Sequence, residues 1–340
     1  MDEPSLVETH EVSTTGEFWD LVSNGSRGIL VKDAAYRGQA DATWNLTPAA
    51  FRASTSQKWF SEKDQHSYGE QEFRESVALI HFICGADEQG LAIPGFSDLD
   101  KELESLRSRS EQLKTSRNPL HPFRWPDRKY VPALALAQHN GVPTRLLDWT
   151  RSPLVATYFA ASGILSPQSN NDSAALWICD PYAKVNDRLI KLHHIENGQT
   201  SLIIRGVANF GNSNMAAQQG LLMVPTFSTE PTEKFERGFA LEVFGSNLAR
   251  PFIQSTPLFR KIVFPKRLAK RLLSDLWIYG IHGSTLFPGF RGAALFAEEQ
   301  PRVQEFIPNT KEEWWTHLNE RDTEPLRRWK DLIVAANNPR

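Results

Sequence analysis

Three short stretches of this chain concentrate side chains able to bind or transfer a ligand. The first is Tyr36-Arg37-Gly38-Gln39, at the end of an apolar run. An arginine there can hold a phosphate or pyrophosphate through paired N–H donors, and Gly38 would let a ligand approach the backbone closely. A surface arginine at a turn accounts for the same residues equally well. The second stretch runs from Ala137 to Leu154 and carries Gln138, His139, Arg145, Asp148 and Thr150. His139 is a candidate general base or ligand-orienting donor, or simply a cap for the last carbonyls of its helix. Asp148, among Leu146, Leu147 and Trp149, is expected to be partly buried and to need a partner, with Arg145 or Arg37 as the available cations. A structural ion pair competes there with a catalytic role. Thr150 can donate to a ligand or close a turn. The third stretch is Gln218-Gln219, just before Gly220-Leu221-Leu222-Met223-Val224-Pro225. Its amides can hydrogen-bond a ribose or a base edge but cannot serve as a carboxylate base.

Other chemistries lack their residues. His193-His194 has no cysteine or carboxylate at metal-ligand spacing, so no metal is expected. Neither a phosphate-binding G-x-x-x-x-G-K-[ST] loop nor a G-x-G-x-x-G turn after a strand is present, and there is no G-x-S-x-G nucleophile elbow. The formal charge of −2 provides no field for nucleic acid or an anionic membrane, and no basic stripe is interleaved with stacking aromatics. Two cysteines, Cys84 and Cys179, lie far apart in apolar runs and read as buried thiols of a reducing compartment. The polar, acidic start of the chain has no secretory pattern, and no apolar run approaches the roughly 18 residues of a membrane span. A cytoplasmic location is the expectation.

These stretches must be held by ordinary globular elements, since 40% of the 340 residues are hydrophobic and 23% charged. Helices are expected over 18–24, 70–82, 98–116, 131–139, 154–162, 265–277 and 313–336. Strands are expected over 28–32, 144–150, 174–179, 220–224, 239–244 and 260–264, with an extended segment over 44–51. Ser152 followed by Pro153 reads as an N-cap and first helical residue. Leu268, Leu272, Leu273 and Leu276 give the helix that follows Pro265 its buried face. The charged 98–116 helix reads as a solvated insertion with one narrow apolar seam. Strands and helices interleave irregularly, which fits an α+β fold with a small, mostly antiparallel sheet, a helical insertion and C-terminal helices. The expected division is an N-terminal segment over 1–27, a main domain over 28–297 with its insertion at about 60–125, and a helical tail over 298–340.

Tyr36-Arg37-Gly38-Gln39 and the run from Gln138 to Ala160, with its Pro143-Thr144-Arg145-Leu146-Leu147-Asp148-Trp149-Thr150 centre, resemble the FRG domain family. That family is named for a Phe-Arg-Gly motif, which here reads Tyr36-Arg37-Gly38. Gln218-Gln219-Gly220 and Thr285-Leu286-Phe287-Pro288 are similar to its later, weaker motifs. The order aromatic-Arg-Gly, strand plus apolar helix, then a strand ending in Pro also resembles the ADP-ribosyltransferases, with Gln218 standing where their catalytic Glu would be. That resemblance implies an NAD-using effector. Arg37 would hold the pyrophosphate, Thr150 would orient the nicotinamide ribose, and Asp148 with Gln218 would complete the reacting centre. Tyr36, Gly38, Gln138, His139, Arg145 and Gln219 would line the nucleotide, and ADP-ribose would pass to a macromolecular acceptor or to water. A glutamine carries no charge to offset an oxocarbenium-like state, and Asp148 or Glu242 would have to supply it. The competing expectation is a non-catalytic module that senses a nucleotide or a partner protein in a toxin–antitoxin or antiphage defence system.

Overall fold

The computed structural model describes residues 7–23, 28–30, 33–52, 67–96, 98–115, 125–180, 182–185, 188–191, 194–197, 200–206, 213–227, 235, 238, 240–242 and 257–304. In chain order the elements are β1 (Val7–Glu11), α1 (Thr15–Leu21), β2 (Ala35–Gln39), α2 (Tyr68–Glu88), α3 (Leu99–Thr115), α4 (Val131–His139), β3 (Leu147–Thr150), α5 (Pro153–Ile164) and β4 (Ser173–Cys179). There follow β5 (Tyr182–Val185), β6 (Arg188–Lys191), β7 (His194–Asn197), β8 (Thr200–Arg205), α6 (Ser213–Ala217) and β9 (Gly220–Thr226). The described part closes with β10 (Phe259–Pro265), α7 (Lys266–Ile278), α8 (Gly283–Leu286) and α9 (Phe290–Val303).

The fold is α+β. Its main sheet has eight strands in the order β1-β10-β4-β2-β3-β9-β8-β7, and β5 and β6 form a separate hairpin. Only β1 runs parallel to its neighbour, β10; the other pairs are antiparallel. The sheet is therefore mostly antiparallel as expected, but larger than the small core the sequence suggested. The N-terminal segment, read as separate, supplies its edge strand.

Strand alternation sorts the sheet into two faces. On one face, Tyr36, Leu176, Ile178, Ile262 and Phe264 pack with the apolar sides of α1, α5 and α7. Farther along the same face, Leu222 and Val224 pack beneath α2, α3 and α4. On the other face, Ala35, Leu147, Trp149, Trp177, Leu221 and Met223 meet Ala42, Leu46, Leu241 and Leu258. One side of the sheet is thus covered by two separate groups of helices, and the other by chain that includes the 42–51 segment.

Local chemistry sets the ends of the elements that matter. Thr14 and Glu17 form a capping box at α1, and Ser67 with Glu70 forms one at α2. The Ser152 side chain accepts from the Val155 N–H, and Pro153 opens α5. The nearly all-apolar sequence of α5 reflects burial over most of its circumference: Leu154, Val155, Ala156, Tyr158, Ala160, Ala161 and Ile164 are all in the core. The seam of α3 is real: Leu103 and Leu106 are buried beside α2.

Some local expectations are corrected. The first strand after α1 begins at Ala35, and residues 28–30 are irregular. The 44–51 segment ends in a single 3-10 turn, Ala49–Phe51, started by Pro48. Residues 240–242 are not a strand. The helix expected over 313–336 lies outside the described residues. No helix among those described is long and apolar enough to cross a membrane.

Candidate functional site

Antiparallel β2 and β3 touch at a single register pair, Tyr36 opposite Thr150, and then part. β2 stays with β4 as far as Gln39, while β3 follows β9 over its whole length. The next residue along β2 after the shared pair is Arg37. Its guanidinium reaches across the opening, and Nη1 donates to the backbone carbonyl of Asp148 at 2.5 Å. A guanidinium has five N–H donors. This one is half-buried, and its Nε is buried with no partner among the described residues. Burial lowers the Arg37 pKa to about 10, the nearby Asp148 charge opposes that fall, and the Arg52 charge adds to it. Arg37 therefore remains a cation at neutral pH.

Asp148 is exposed, whereas Leu146, Leu147, Trp149 and Thr150 around it are buried. It shares a sheet face with Thr150, between the helix group that holds α5 and the group that holds α4. Gln138, at the end of α4, donates from Nε2 to Asp148 Oδ1 at 2.7 Å. The opposite end of that amide is fixed, because the Thr144 hydroxyl donates to Gln138 Oε1. Desolvation raises the Asp148 carboxyl above its ordinary value, against the pull of Arg37, the Gln138 bond and His139. His139 is exposed, and its Nε2 lies 3.2 Å from Asn214 Nδ2 of α6.

The remaining sequence candidates are engaged elsewhere. Arg145 is fully buried. Its Nε and Nη2 form a two-point bond with Glu75 at 2.7 and 3.0 Å, and Nη1 reaches Glu72 at 3.2 Å and the Trp125 carbonyl at 3.0 Å. It neither pairs with Asp148 nor meets solvent, which corrects the expectation that it lines a ligand. Thr150 is buried; its hydroxyl donates to the Gln218 carbonyl at 2.7 Å and accepts from the Ser152 N–H. The Gln218 side chain donates to the Leu286 carbonyl at 3.1 Å, so it ties α6 to α8. Gln219 is an exposed turn residue with φ 50°, and β9 starts only at Gly220. Tyr36 is buried in the apolar core, where desolvation holds its phenol neutral. A Cβ on Gly38 would lie 1.9 Å from the Ala156 carbonyl oxygen of α5, so the space there is filled by a helix and not left for a ligand. Glu242 is buried and accepts from the Leu46 N–H at 2.9 Å, on the sheet face opposite Asp148.

The structure therefore brings together Arg37, Asp148, Gln138 and His139, and leaves Thr150, Gln218 and Arg145 as internal braces. Sequence reasoning overlooked Thr144, Arg52 and Asn214. Thr144 lies within the Pro143-Thr144-Arg145 run, but nothing in its type distinguishes a hydroxyl that orients an amide from one that closes a turn.

Residues 32–169 match the FRG domain family. No curated protein and no solved structure matches the chain, so the likeness to ADP-ribosyltransferases rests on motif order alone. The FRG stretch holds all four residues that the structure gathers at the strand opening. Gln218 and the Thr285–Pro288 motif lie beyond it. Among the described residues, no three His, Cys, Asp or Glu side chains come together to hold a metal.

Proposed function

We propose that the FRG domain is a nucleotide-binding module that takes NAD or a related dinucleotide at the opening between β2 and β3. The observation that carries this reading is the state of Arg37. A half-buried guanidinium whose one hydrogen bond among the described residues goes to a carbonyl, and whose buried Nε has no partner among them, is an incomplete cation site. Buried charges in folded proteins are ordinarily paired, and a phosphate or pyrophosphate supplies that missing partner in two-point geometry. Asp148, pinned through Oδ1 by Gln138, is placed to accept from ribose hydroxyls. In this reading the domain senses its ligand, and the cellular setting we propose is a toxin–antitoxin or antiphage defence system. Calorimetric titration of the protein with NAD and ADP-ribose tests the reading. Saturable binding lost in Arg37→Gln is expected, and absence of binding by the folded wild type overturns it.

A second reading, cleavage of NAD, is favoured by the exposed, pKa-raised Asp148 beside a guanidinium. Its carboxylate would face the cationic ribose carbon as the nicotinamide bond breaks. Water would add to that carbon, and a proton would be released along with nicotinamide and ADP-ribose. The loss of Thr150 and Gln218 to structural duty weighs against it, since Asp148 would act without the other two groups assigned to the reacting centre. Release of nicotinamide on incubation with NAD, abolished in Asp148→Asn, separates turnover from binding.

A further inference from the structure

The last described helix, α9, is apolar on two opposite sides. Its inner side is fixed to the fold. Gly292, Glu299 and Val303 are buried there, and the Phe296 ring stacks on Trp277 with centres 4.5 Å apart. The Glu299 carboxylate accepts from the Tyr158 hydroxyl of α5, from Trp277 Nε1 at 3.3 Å and from the Gly283 N–H at 3.0 Å. The outer side faces solvent. Phe290, Ala293, Ala294, Ala297 and Pro301 are all exposed, and their spacing puts them in one stripe along the helix. Phe290 heads that stripe and is 95% exposed, more than any other large hydrophobic among the described residues. Arg291 and Glu298 border it on one margin, and Gln300 and Gln304 on the other. A surface helix ordinarily turns a polar face to water. The apolar outer stripe of α9 instead has the pattern of a face that meets a second helix.

We propose that the outer face of α9 is the docking site of the chain's own C-terminal tail, residues 313–336. The tail follows from Gln304, at the end of the stripe itself. Residues 305–312, fully extended, reach about 26–29 Å, and the 14 residues of α9 cover about 21 Å. Every point of the face is therefore within reach of a tail that turns back along the helix. The sequence of the tail supplies the bulk that the stripe lacks. It carries Trp314, Trp315, Leu318, Leu326, Trp329 and Ile333, and large apolar side chains gain by leaving water. Three alanines in a row of helical turns let a neighbouring helix approach closely and receive those side chains. A tether this short also decides between occupants. It holds the tail at an effective concentration of about millimolar, which a second copy of the chain must exceed to take its place. The docking is therefore intramolecular, and it would fix the tail to α5 through the Glu299–Tyr158 bond.

The test uses the full-length protein, with wild type, Phe290→Ser and Ala294→Glu compared by hydrogen exchange and by sedimentation at two protein concentrations. Both substituted side chains are exposed, and glutamate is a good helix former, so exchange across α5 and β4 should keep its wild-type rates. The expected wild type is a monomer whose amides in 313–336 are protected. Each variant should speed exchange of those amides about tenfold or more and move tryptophan emission to longer wavelength. Unprotected tail amides in wild type would show that nothing is docked and overturn the proposal. Protection that survives both substitutions would place the tail elsewhere and overturn it as well. A wild-type dimer that Ala294→Glu turns into a monomer, with tail exchange unchanged, would assign the face to a second copy of the chain.

Discussion

Arg37 holds Asp148 by its backbone and not by its carboxylate. The guanidinium Nη1 donates to the Asp148 carbonyl at 2.5 Å. Because Tyr36 pairs with Thr150, Arg37 and Asp148 leave their strands on opposite faces of the sheet. The two charges thus flank the edge at which β2 and β3 separate, near enough to influence each other's ionisation, without neutralising each other in a direct ion pair. A closed ion pair would be a finished structural device. An arginine bonded to a neutral carbonyl and an aspartate bonded to a neutral amide keep both charges for a third party.

The first prediction concerns Arg37. Its burial is incompletely compensated, so its removal should not destabilise the fold in the way loss of a paired buried charge does. Arg37→Met, which keeps the apolar stem, is expected to melt within a degree or two of wild type or above it, while binding of ADP-ribose is lost. A thermal melt and a titration on the same sample check this. A large fall in melting temperature would show that Arg37 is a structural residue.

Thr144 is a positioning residue for Asp148. Its hydroxyl fixes the Gln138 amide so that the NH₂ end, and not the carbonyl end, faces the carboxylate. Thr144→Val removes that constraint and lets the amide turn its oxygen toward Asp148, so the charged form loses a donor. The Asp148 pKa, already raised by desolvation, is expected to rise further in Thr144→Val and to return in Thr144→Ser. Carboxyl-carbon NMR titration of Asp148 reads this directly. An identical titration curve in Thr144→Val would exclude the relay.

Arg145 should behave in the opposite way to Arg37. It is sealed inside with Glu75 and Glu72 as partners, and breaking such a cluster costs about 3–5 kcal/mol. Arg145→Ala is expected to unfold or to melt far below wild type with no ligand present. The same cluster makes stability depend on pH. Burial pushes Glu72 up to about 7 from an ordinary value of 4.5. Between those values the folded protein holds a proton that the unfolded chain has released. Stability from this group is therefore complete below about pH 4.5 and is lost as pH rises through 7. Glu72→Gln cannot ionise, so its melting temperature should gain on that of wild type as pH is raised from 5 to 8. A constant difference across that range would show that Glu72 does not titrate there.

The sequence made the α+β class legible because its helices carry clear signals: a Ser-Pro start at α5, a Pro start and leucine stripe at α7, and a Thr cap at α1. It also singled out Arg37, Gln138, His139 and Asp148. It did not distinguish them from Arg145 and Thr150, because residue type does not reveal which way a strand residue points. Asp148 and Trp149 are neighbours in the chain, and that single step moves a side chain from the surface into the core. Arg145 and Asp148 are three apart, yet one is fully buried and the other exposed. Arg52 was invisible for another reason. Its position depends on the hydrogen bond from Ala50 to Thr144, far away in the chain, and no local pattern encodes it. The late Gln218 motif looked like a ligand site because paired amides suit one, but its carbonyl and side chain both serve to join distant segments.

Gly38 provides the sharpest separation of packing from ligand binding. The expectation from sequence was that a missing side chain beside Arg37 makes room for a ligand. The structure fills that room with the backbone of α5: an added methyl would meet the Ala156 oxygen at 1.9 Å and the Ala160 nitrogen at 2.6 Å. Neither atom can rotate away, so the helix itself would have to lift from the sheet and disturb the core formed by Tyr36, Leu176 and Ile178. Overpacking a core costs about 1–3 kcal/mol where side chains can adjust, and here backbone must move, so Gly38→Ala is expected at or above the top of that range. The decisive measurement is the melting temperature without any ligand. A fall of many degrees in the free protein places Gly38 in the helix–sheet contact, whereas a wild-type melt combined with lost nucleotide binding would return it to the ligand site.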